Sequence, residues 1–587
     1  MKQVKRFFIL FLCLLFPLMT SGCQQEDHSE TQQAFDAFIE EQFKEVMMQD
    51  YVSMHILLED PNAFGIDASK VKVSLGEIDE DKLREIEKKS KATWEEFQSF
   101  ERSHLTKEQQ DTYDIYEYQE SLNQKLSDDK FEYYPSLYSS MKGIHHQLPT
   151  LFSDWTLRNE QDVKDLITLV KDVKPYIDET LDYTKEQAKQ GLLMVDLSEV
   201  IEYCEGIVKQ GMNSAILASM KESIDALALV NASSYKQELS DAFQTSFLPA
   251  YEAIIQTMEE LKSAKNNTEG LMNFPHGKEY YSLILQQNIG SYKSVGEVKK
   301  MMKDCYDQHL RKLAIMMMKD ESLFDEFAKP EPKTPFTSYE EILAHIESRF
   351  YQDFPKGEPL HYKIKDIHKE IASDNGTAAY FNIPALDDSR PRQLRVNPLS
   401  SDVSSISTFQ TVAHEGFPGH MYQFNYMYGK LDSNYRKALA DSLAYTEGYA
   451  VYTQFYANQY IPDIDQTYLE CLKENELASY NVIMLADIGI HDEGWSVKDF
   501  ASFLEQNGFQ LEEEAYRLQY QQLQQNPAVF APYYVGYEEI SAFKQQAQQA
   551  LDEDFVDQEF HEALLESGTA PFTVVKRHID AYIKQHT

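Results

Sequence analysis

The chain has 587 residues, with 55 Lys and Arg against 96 Asp and Glu, giving a formal charge of −41 at pH 7. A surface this acidic repels the nucleic-acid backbone and anionic lipid headgroups, which excludes nucleic-acid binding and electrostatic membrane adhesion but is compatible with cationic peptides as ligands. The length suffices for a large core and several domains, and no repeat of roughly 20 to 50 residues is present to make it a solenoid.

Lys2, Lys5 and Arg6 precede an apolar run from Phe7 to Met19, followed by Thr20-Ser21-Gly22-Cys23. This reads as a signal peptide over residues 1–22, too short to span a bilayer as a stable helix. The small residues ending in Cys resemble a bacterial lipobox, with Thr20 where Leu is usual. That predicts an exported protein whose lipidated Cys23 anchors it to the membrane, facing outside the cytoplasm. The alternative is an ordinary secretory signal with a chance cysteine. Cys204, Cys305 and Cys471 are too few and too scattered for a disulfide framework and are expected to be buried thiols.

From Gln24 to Lys356 the apolar residues recur at helical spacing, over Thr31 to Met48, Asp162 to Gln190, Lys236 to Lys262 and Val295 to Met318. Polar and Pro-containing breaks separate these runs, the most marked at Lys329-Pro-Glu-Pro-Lys333. We therefore divide the mature chain into an N-terminal helical half, 23–330, and a C-terminal half, 331–587, with a cleft expected between them. Between Pro359 and Pro398 the pattern becomes β-prone, in the runs His361 to Asp366, Thr377 to Asn382 and Gln393 to Asn397. A small sheet is expected there, whose edge could take an extended peptide as a further strand or serve structure alone. Beyond residue 430 the pattern is helical again, to Phe572 to Lys584. The fold class is mainly α, with a small sheet beside the helix described next.

That helix carries Ala413-His414-Glu415-Gly416-Phe417-Pro418-Gly419-His420. Zinc hydrolases commonly place two His four apart on one helical face, with a Glu after the first as general base. Here the spacing is six, and at about 100° per residue a straight helix would turn the second ring roughly 240° away from the first. The segment must bulge or break, and Gly416, Pro418 and Gly419 permit it. A two-residue bulge would return His420 to the face of His414. His561-Glu562 has no second His nearby downstream and serves as an internal control. The next helical stretch, Ala438 to Tyr452, is apolar on most sides yet carries Glu447, and a buried carboxylate needs a cation or a salt-bridging partner.

His414, His420 and Glu447 around one open position are the usual catalytic zinc set, with one ion per chain expected; manganese and iron share these ligand types. Glu415 would take a proton from water and pass it to the leaving amine. An oxyanion would need a further donor, for which Tyr533, Tyr534, Tyr537 and His491 are candidates, with Asp487 a helical turn before His491 to fix its tautomer. Asn397 and Tyr534 are candidate substrate contacts. No Gly-rich loop follows a strand, so no nucleotide cofactor is expected. The reading is a peptide-cleaving hydrolase. Its rivals are a non-enzymatic peptide-binding lipoprotein with a degenerate metal site and a metal-dependent hydrolase of non-peptide amides or esters.

The run His414 to His420, followed by Glu447-Gly-Tyr-Ala-Val-Tyr452, resembles the DUF885 family, which is similar to gluzincin metallopeptidases. Gly277-Lys-Glu-Tyr280-Tyr281, the turn from Gly143 to Pro149, Asp487-Ile-Gly489-Ile-His491-Asp-Glu-Gly494-Trp495 and Tyr533-Tyr534-Val535-Gly536 resemble further family motifs in order, from about residue 130 to about residue 545. The resemblance implies a gluzincin-like fold and favours Tyr533 and His491 as oxyanion donors. Three departures bear on the surroundings of the site: Tyr449 where Trp is frequent, Gln454 where an acid is frequent, and Ile483 and Met484 where a basic residue is frequent.

Overall fold

The computed structural model describes residues 27–77, 80–194, 197–262, 268–367, 378–399 and 402–587. The signal segment, Cys23 and Thr377 lie outside them. The helical runs form as their spacing predicts. Helix α1 (Ser29–Gln49) buries Phe35, Phe38, Ile39, Phe43 and Met47 on one face. Helix α2 (Glu160–Lys189) starts where the Asn159 side chain accepts from the Gln161 and Asp162 amides, which satisfies two of the free N–H groups of a first turn. Helix α3 (Val295–Lys319) opens on a reciprocal Ser294 and Glu297 capping box. The run expected over Lys236 to Lys262 is divided, with a π-turn at Phe243–Phe247 between Ala232–Ala242 and Leu248–Leu261. Pro249 has no N–H to continue an α-helical ladder, and the wider turn before it absorbs the defect.

The β-prone region forms one sheet of β1 (Tyr362–Asp366), β2 (Ala379–Asn382) and β3 (Arg392–Val396), in the order β1-β3-β2. β1 runs parallel to β3, and β2 antiparallel to it with Phe381 opposite Leu394. β2 is therefore an edge strand. The helices that follow are α4 (Ile406–Glu415), α5 (His420–Lys430), α6 (Leu443–Tyr456), α7 (Gln466–His491), α8 (Ala531–Leu551) and α9 (Phe572–His586).

Helices α6 and α8 pack closely because each presents a glycine to the other. A Cβ on Gly448 would lie 2.4 Å from the Gly536 carbonyl carbon, and one on Gly536 would lie 2.1 Å from Ala444 O. This contact sets the depth at which Glu447 and Tyr533 meet. Buried side chains from both sides of residue 330 belong to one apolar cluster. The Leu386 amide donates to Leu57 O across that boundary. Cys204 and Cys471 are buried free thiols, as expected, whereas Cys305 is only half-buried. Among the described residues no helix is long and apolar enough to cross a membrane.

Helices α3, α7 and α8 share a buried polar cluster that the sequence did not suggest. His309 lies between Glu474 Oε2, 2.6 Å from its Nδ1, and Glu538 Oε1, 3.0 Å from its Nε2. Asn481 donates to Glu538 and Lys312 to Glu474. Burial alone would depress the imidazole pKa, but the two carboxylates outweigh it and hold His309 up at about 9. A histidine whose folded pKa is raised contributes stability that is complete below its unfolded value of about 6.5 and is lost as pH rises through the folded value. Between pH 6 and pH 9.5 the wild type should therefore lose on the order of 3 kcal/mol that His309→Asn does not lose. Calorimetric melting of both proteins across that range measures the difference, and parallel pH slopes would show that His309 is neutral in the fold.

Candidate metal centre

Helix α4 ends at Glu415. The Gly416 amide still donates to Val412 O, but its φ of −105° and ψ of −103° leave the helical region. The chain then passes through Phe417 and a cis Phe417–Pro418 peptide, and the Gly419 amide donates back to Ala413 O at 3.0 Å. Helix α5 starts anew at His420. The expected two-residue bulge is thus a complete break between two helices. Two fastenings hold it: Phe417 is buried against Phe350 and Tyr362, and the Tyr449 hydroxyl donates to Pro418 O at 2.9 Å. The departure from Trp at position 449 thereby supplies a donor to the loop.

The break brings the three expected ligands together. His414 Nε2 lies 3.5 Å and His420 Nε2 3.4 Å from Glu447 Oε2, and the candidate donor atoms all lie within 4.8 Å of one another. Ligands about 2.1 Å from a tetrahedral ion stand about 3.4 Å apart, which the two distances to Glu447 match, so a small closing of the two imidazoles would let this two-nitrogen, one-oxygen donor set hold a zinc-like cation. Each ring offers its other nitrogen to an amide oxygen: His414 Nδ1–H donates to Gln454 Oε1 and His420 Nδ1–H to Gln423 Oε1, both at 3.3 Å. That leaves Nε2 for the centre. Gln454, where an acid is frequent in the family, thus still accepts a ring proton. Burial opposes charge on Glu447, yet His414 and His420 hold its carboxyl far below the usual range. Burial likewise disfavours charge on His420, and Glu447 and Glu415 still push it up to about 9. Such mutual dependence of buried groups is what a shared cation would relieve.

Glu415 stands beside this trio, with Oε1 3.9 Å from His414 Nε2. Its Oε2 accepts the Phe381 amide of β2 at 2.9 Å, so the sheet edge orients the carboxylate. The Tyr533 ring stacks at 6.5 Å from that of His414. Burial first, then the Glu447 and Glu415 carboxylates and the contact of its hydroxyl with Glu447, raise the Tyr533 pKa and keep it protonated. The centre opens on a cavity of about 610 Å³, walled by β2 residues Ala379 to Phe381, by Phe424, by the segment Lys437 to Asp441, and by Leu57 of the N-terminal half. A second cavity of about 370 Å³ shares Phe381 and Ile383 with it and lies between residues 55–158 and 381–393.

Five expected site residues lie elsewhere. His491 is fully buried; its Nδ1 accepts the Leu271 amide at 3.2 Å and its Nε2 donates to Leu523 O at 3.1 Å, so backbone, and not Asp487, fixes its tautomer and neither nitrogen is free for an oxyanion. Asp487 accepts the Tyr281 hydroxyl at 2.6 Å and the Ala528 amide at 3.2 Å. A Cβ on Gly489 would strike the Trp495 ring at 2.3 Å. The Asp-x-Gly-x-His-x-x-Gly-Trp motif is thus a structural clasp that ties α7 to the Gly277 to Tyr281 motif and to the turn before α8. Asn397 is buried past the end of β3, its amide donating to Ala378 O and its Oδ1 accepting the Leu399 amide, so it closes the sheet and does not line the cavity. Tyr534 stacks on Tyr480 at 4.2 Å and on Phe530 at 5.5 Å, directed away from its neighbour Tyr533. Tyr537 is buried in the core. The control His561 bonds Asp353 O and the Tyr452 hydroxyl and stacks on Phe354, a structural role throughout.

Fold and centre together define a mainly helical protein with a small sheet, whose two-histidine, one-carboxylate cluster opens on a cavity. The family model of DUF885, bacterial protein of unknown function, matches residues 62–579, and the chain belongs to that family. No curated protein matches the sequence. Among solved structures, the putative lipoprotein from Colwellia psychrerythraea is 16% identical, with a TM-score of 0.79 over 94% of this chain and 99% of that one. A putative lipoprotein of unknown function from Shewanella oneidensis is 14% identical, with a TM-score of 0.57 over 85% of this chain and 92% of that one. At these identities the likeness establishes a common fold.

Proposed function

We propose that this protein is a zinc-dependent hydrolase of peptide bonds. The observation that carries the reading is the convergence of His414, His420 and Glu447 at one point on a cavity wall, with Glu415 beside them but outside the ligand set. Among the described residues no fourth His, Cys, Asp or Glu joins the cluster, which leaves a coordination position of the kind that separates catalytic from structural zinc sites. The chemistry such an ion supplies when bound is polarisation of a carbonyl and acidification of water.

The remaining roles belong to the chain. Glu415, oriented by the Phe381 amide, accepts the proton of the attacking water and delivers it to the departing amine. The Tyr533 hydroxyl, kept protonated by its surroundings, donates to the oxygen that gains charge. Apart from the Phe381 amide, which Glu415 occupies, the outer edge of β2 lies along the cavity and offers main-chain groups to an extended peptide. That edge replaces Asn397 as the substrate-facing part of the sheet. It also favours a peptide over a non-peptide amide or ester, neither of which needs a strand to pair with.

The halves 23–330 and 331–587 form the two sides of the groove that continues past Phe381. Export and anchoring through lipidated Cys23 follow from the lipobox-like segment, and two proteins of the same fold are described as putative lipoproteins. Incubating the zinc-loaded protein with a mixed peptide library and reading the products by mass spectrometry tests the activity. New peptide termini that vanish on chelation and return with zinc are expected. An untouched library would reject the peptidase reading.

A further inference from the structure

Lys437 is the one Lys or Arg among the residues lining the main cavity, whose other ionisable walls include Glu415, Glu447 and Asp441. Among the described residues no carboxylate comes within ion-pair distance of Lys437, although Asp441 lines the same cavity. The carboxylates of the centre are engaged already, Glu447 with the two imidazoles and Glu415 with the Phe381 amide.

The two residues before Lys437 are both tied down. In the short helix Asn434–Ala438, the Tyr435 hydroxyl donates to Gln119 Oε1 at 3.0 Å and Arg436 donates to Ser567 O at 2.6 Å. Two successive basic residues thus diverge: Arg436 is buried as a structural brace, and Lys437 stands half-buried at the cavity. A cavity of about 610 Å³ encloses a ligand of drug-like size, which suits the end of a peptide better than the middle of a long one.

We infer that Lys437 receives a free carboxylate of the peptide substrate, so that the protein selects peptides by an anionic group held in the cavity onto which His414, His420 and Glu447 open. The inference rests on the peptidase reading for the identity of the ligand. The charge of the whole molecule favours cationic peptides at long range, whereas this contact selects an anion at short range. The carboxylate has two sources, the C-terminus of the peptide or an acidic side chain, and both present the same group to the ammonium.

Binding separates this contact from turnover. Zinc-loaded Glu415→Gln protein is titrated with a dansylated alanine tetrapeptide as the free acid, as its C-terminal amide, and as an amide with one internal glutamate. The free acid, or the glutamate-bearing amide, should bind about 10- to 100-fold more tightly than the plain amide, a range expected for one charge-assisted hydrogen bond. Which of the two is favoured names the source. Adding Lys437→Gln should erase the difference, Lys437→Arg should retain most of it, and zinc content should not change in either. Equal binding of all three peptides, or a difference that survives Lys437→Gln, would overturn the inference. Failure of the peptidase reading looks different: discrimination in binding would persist while the wild type left every peptide uncut.

Discussion

Glu415→Gln is expected to lower the turnover number on peptides by about 10²- to 10⁴-fold, the range ascribed to a positioned general base, while one zinc per chain is retained. The substitution is nearly isosteric, and the Gln oxygen can still accept the Phe381 amide that now bonds Oε2 at 2.9 Å. Since the nearer carboxylate oxygen stands 3.9 Å from His414 Nε2 and is outside the ligand trio, the donor set survives. What is lost is the ability to take a proton. Steady-state rates paired with metal analysis check both halves, and a variant that cuts peptides at the wild-type rate would remove Glu415 from the chemistry. A variant that instead loses its metal would make Glu415 a ligand.

The contrast between Glu415 and His491 shows what could be read before the fold was known. His414, His420, Glu415 and Glu447 were legible because the chemistry is written in side-chain type, and because the six-residue spacing demanded an interruption that Gly416, Pro418 and Gly419 could provide. The form of the interruption was not legible. Bulge and break share the same residues, and what selects the break is tertiary: Phe417 is packed into the core and Tyr449 reaches Pro418 O from another helix.

His491, Asn397 and Tyr534 stand away from the cluster for a common reason. A polar group in a motif serves a buried backbone as readily as a substrate, and only the fold shows that Leu271 and Leu523 occupy both His491 nitrogens. Tyr533 and Tyr534 are adjacent and chemically identical; the helical position of Tyr533 on α8, held by the Gly448 and Gly536 contact, directs one at Glu447 and the other at Tyr480. The sheet edge was expected but not which strand would supply it, and Lys437 carried no local signal, since each lines the cavity only through packing between distant segments. The helical runs and the small sheet, by contrast, follow from periodicity, and their ends moved by only a few residues.

Gly419→Ala should weaken the metal centre without touching a ligand. A Cβ at this position would lie 1.8 Å from His414 O, 2.4 Å from the His414 carbonyl carbon and 2.5 Å from Ala413 O. All three are backbone atoms in the last turn of α4, so no rotamer change relieves the contact. Either the Gly419 N–H bond to Ala413 O breaks or the start of α5 swings away, and His420 is the residue that moves with it. The expected cost is about 3 kcal/mol or more in stability, as for severe overpacking, with zinc affinity reduced by about 100-fold.

Gly416→Ala provides the comparison. There the closest atom is Leu343 Cδ2 at 2.4 Å, the end of a side chain that can turn, followed by Val412 O at 2.8 Å. Gly416→Ala should therefore be destabilised less and should keep measurable zinc. Differential scanning calorimetry with and without zinc, together with metal stoichiometry, ranks the two variants. Wild-type melting and full zinc occupancy in Gly419→Ala would mean that the close approach of the two helix ends is not what brings His414 and His420 to one ion.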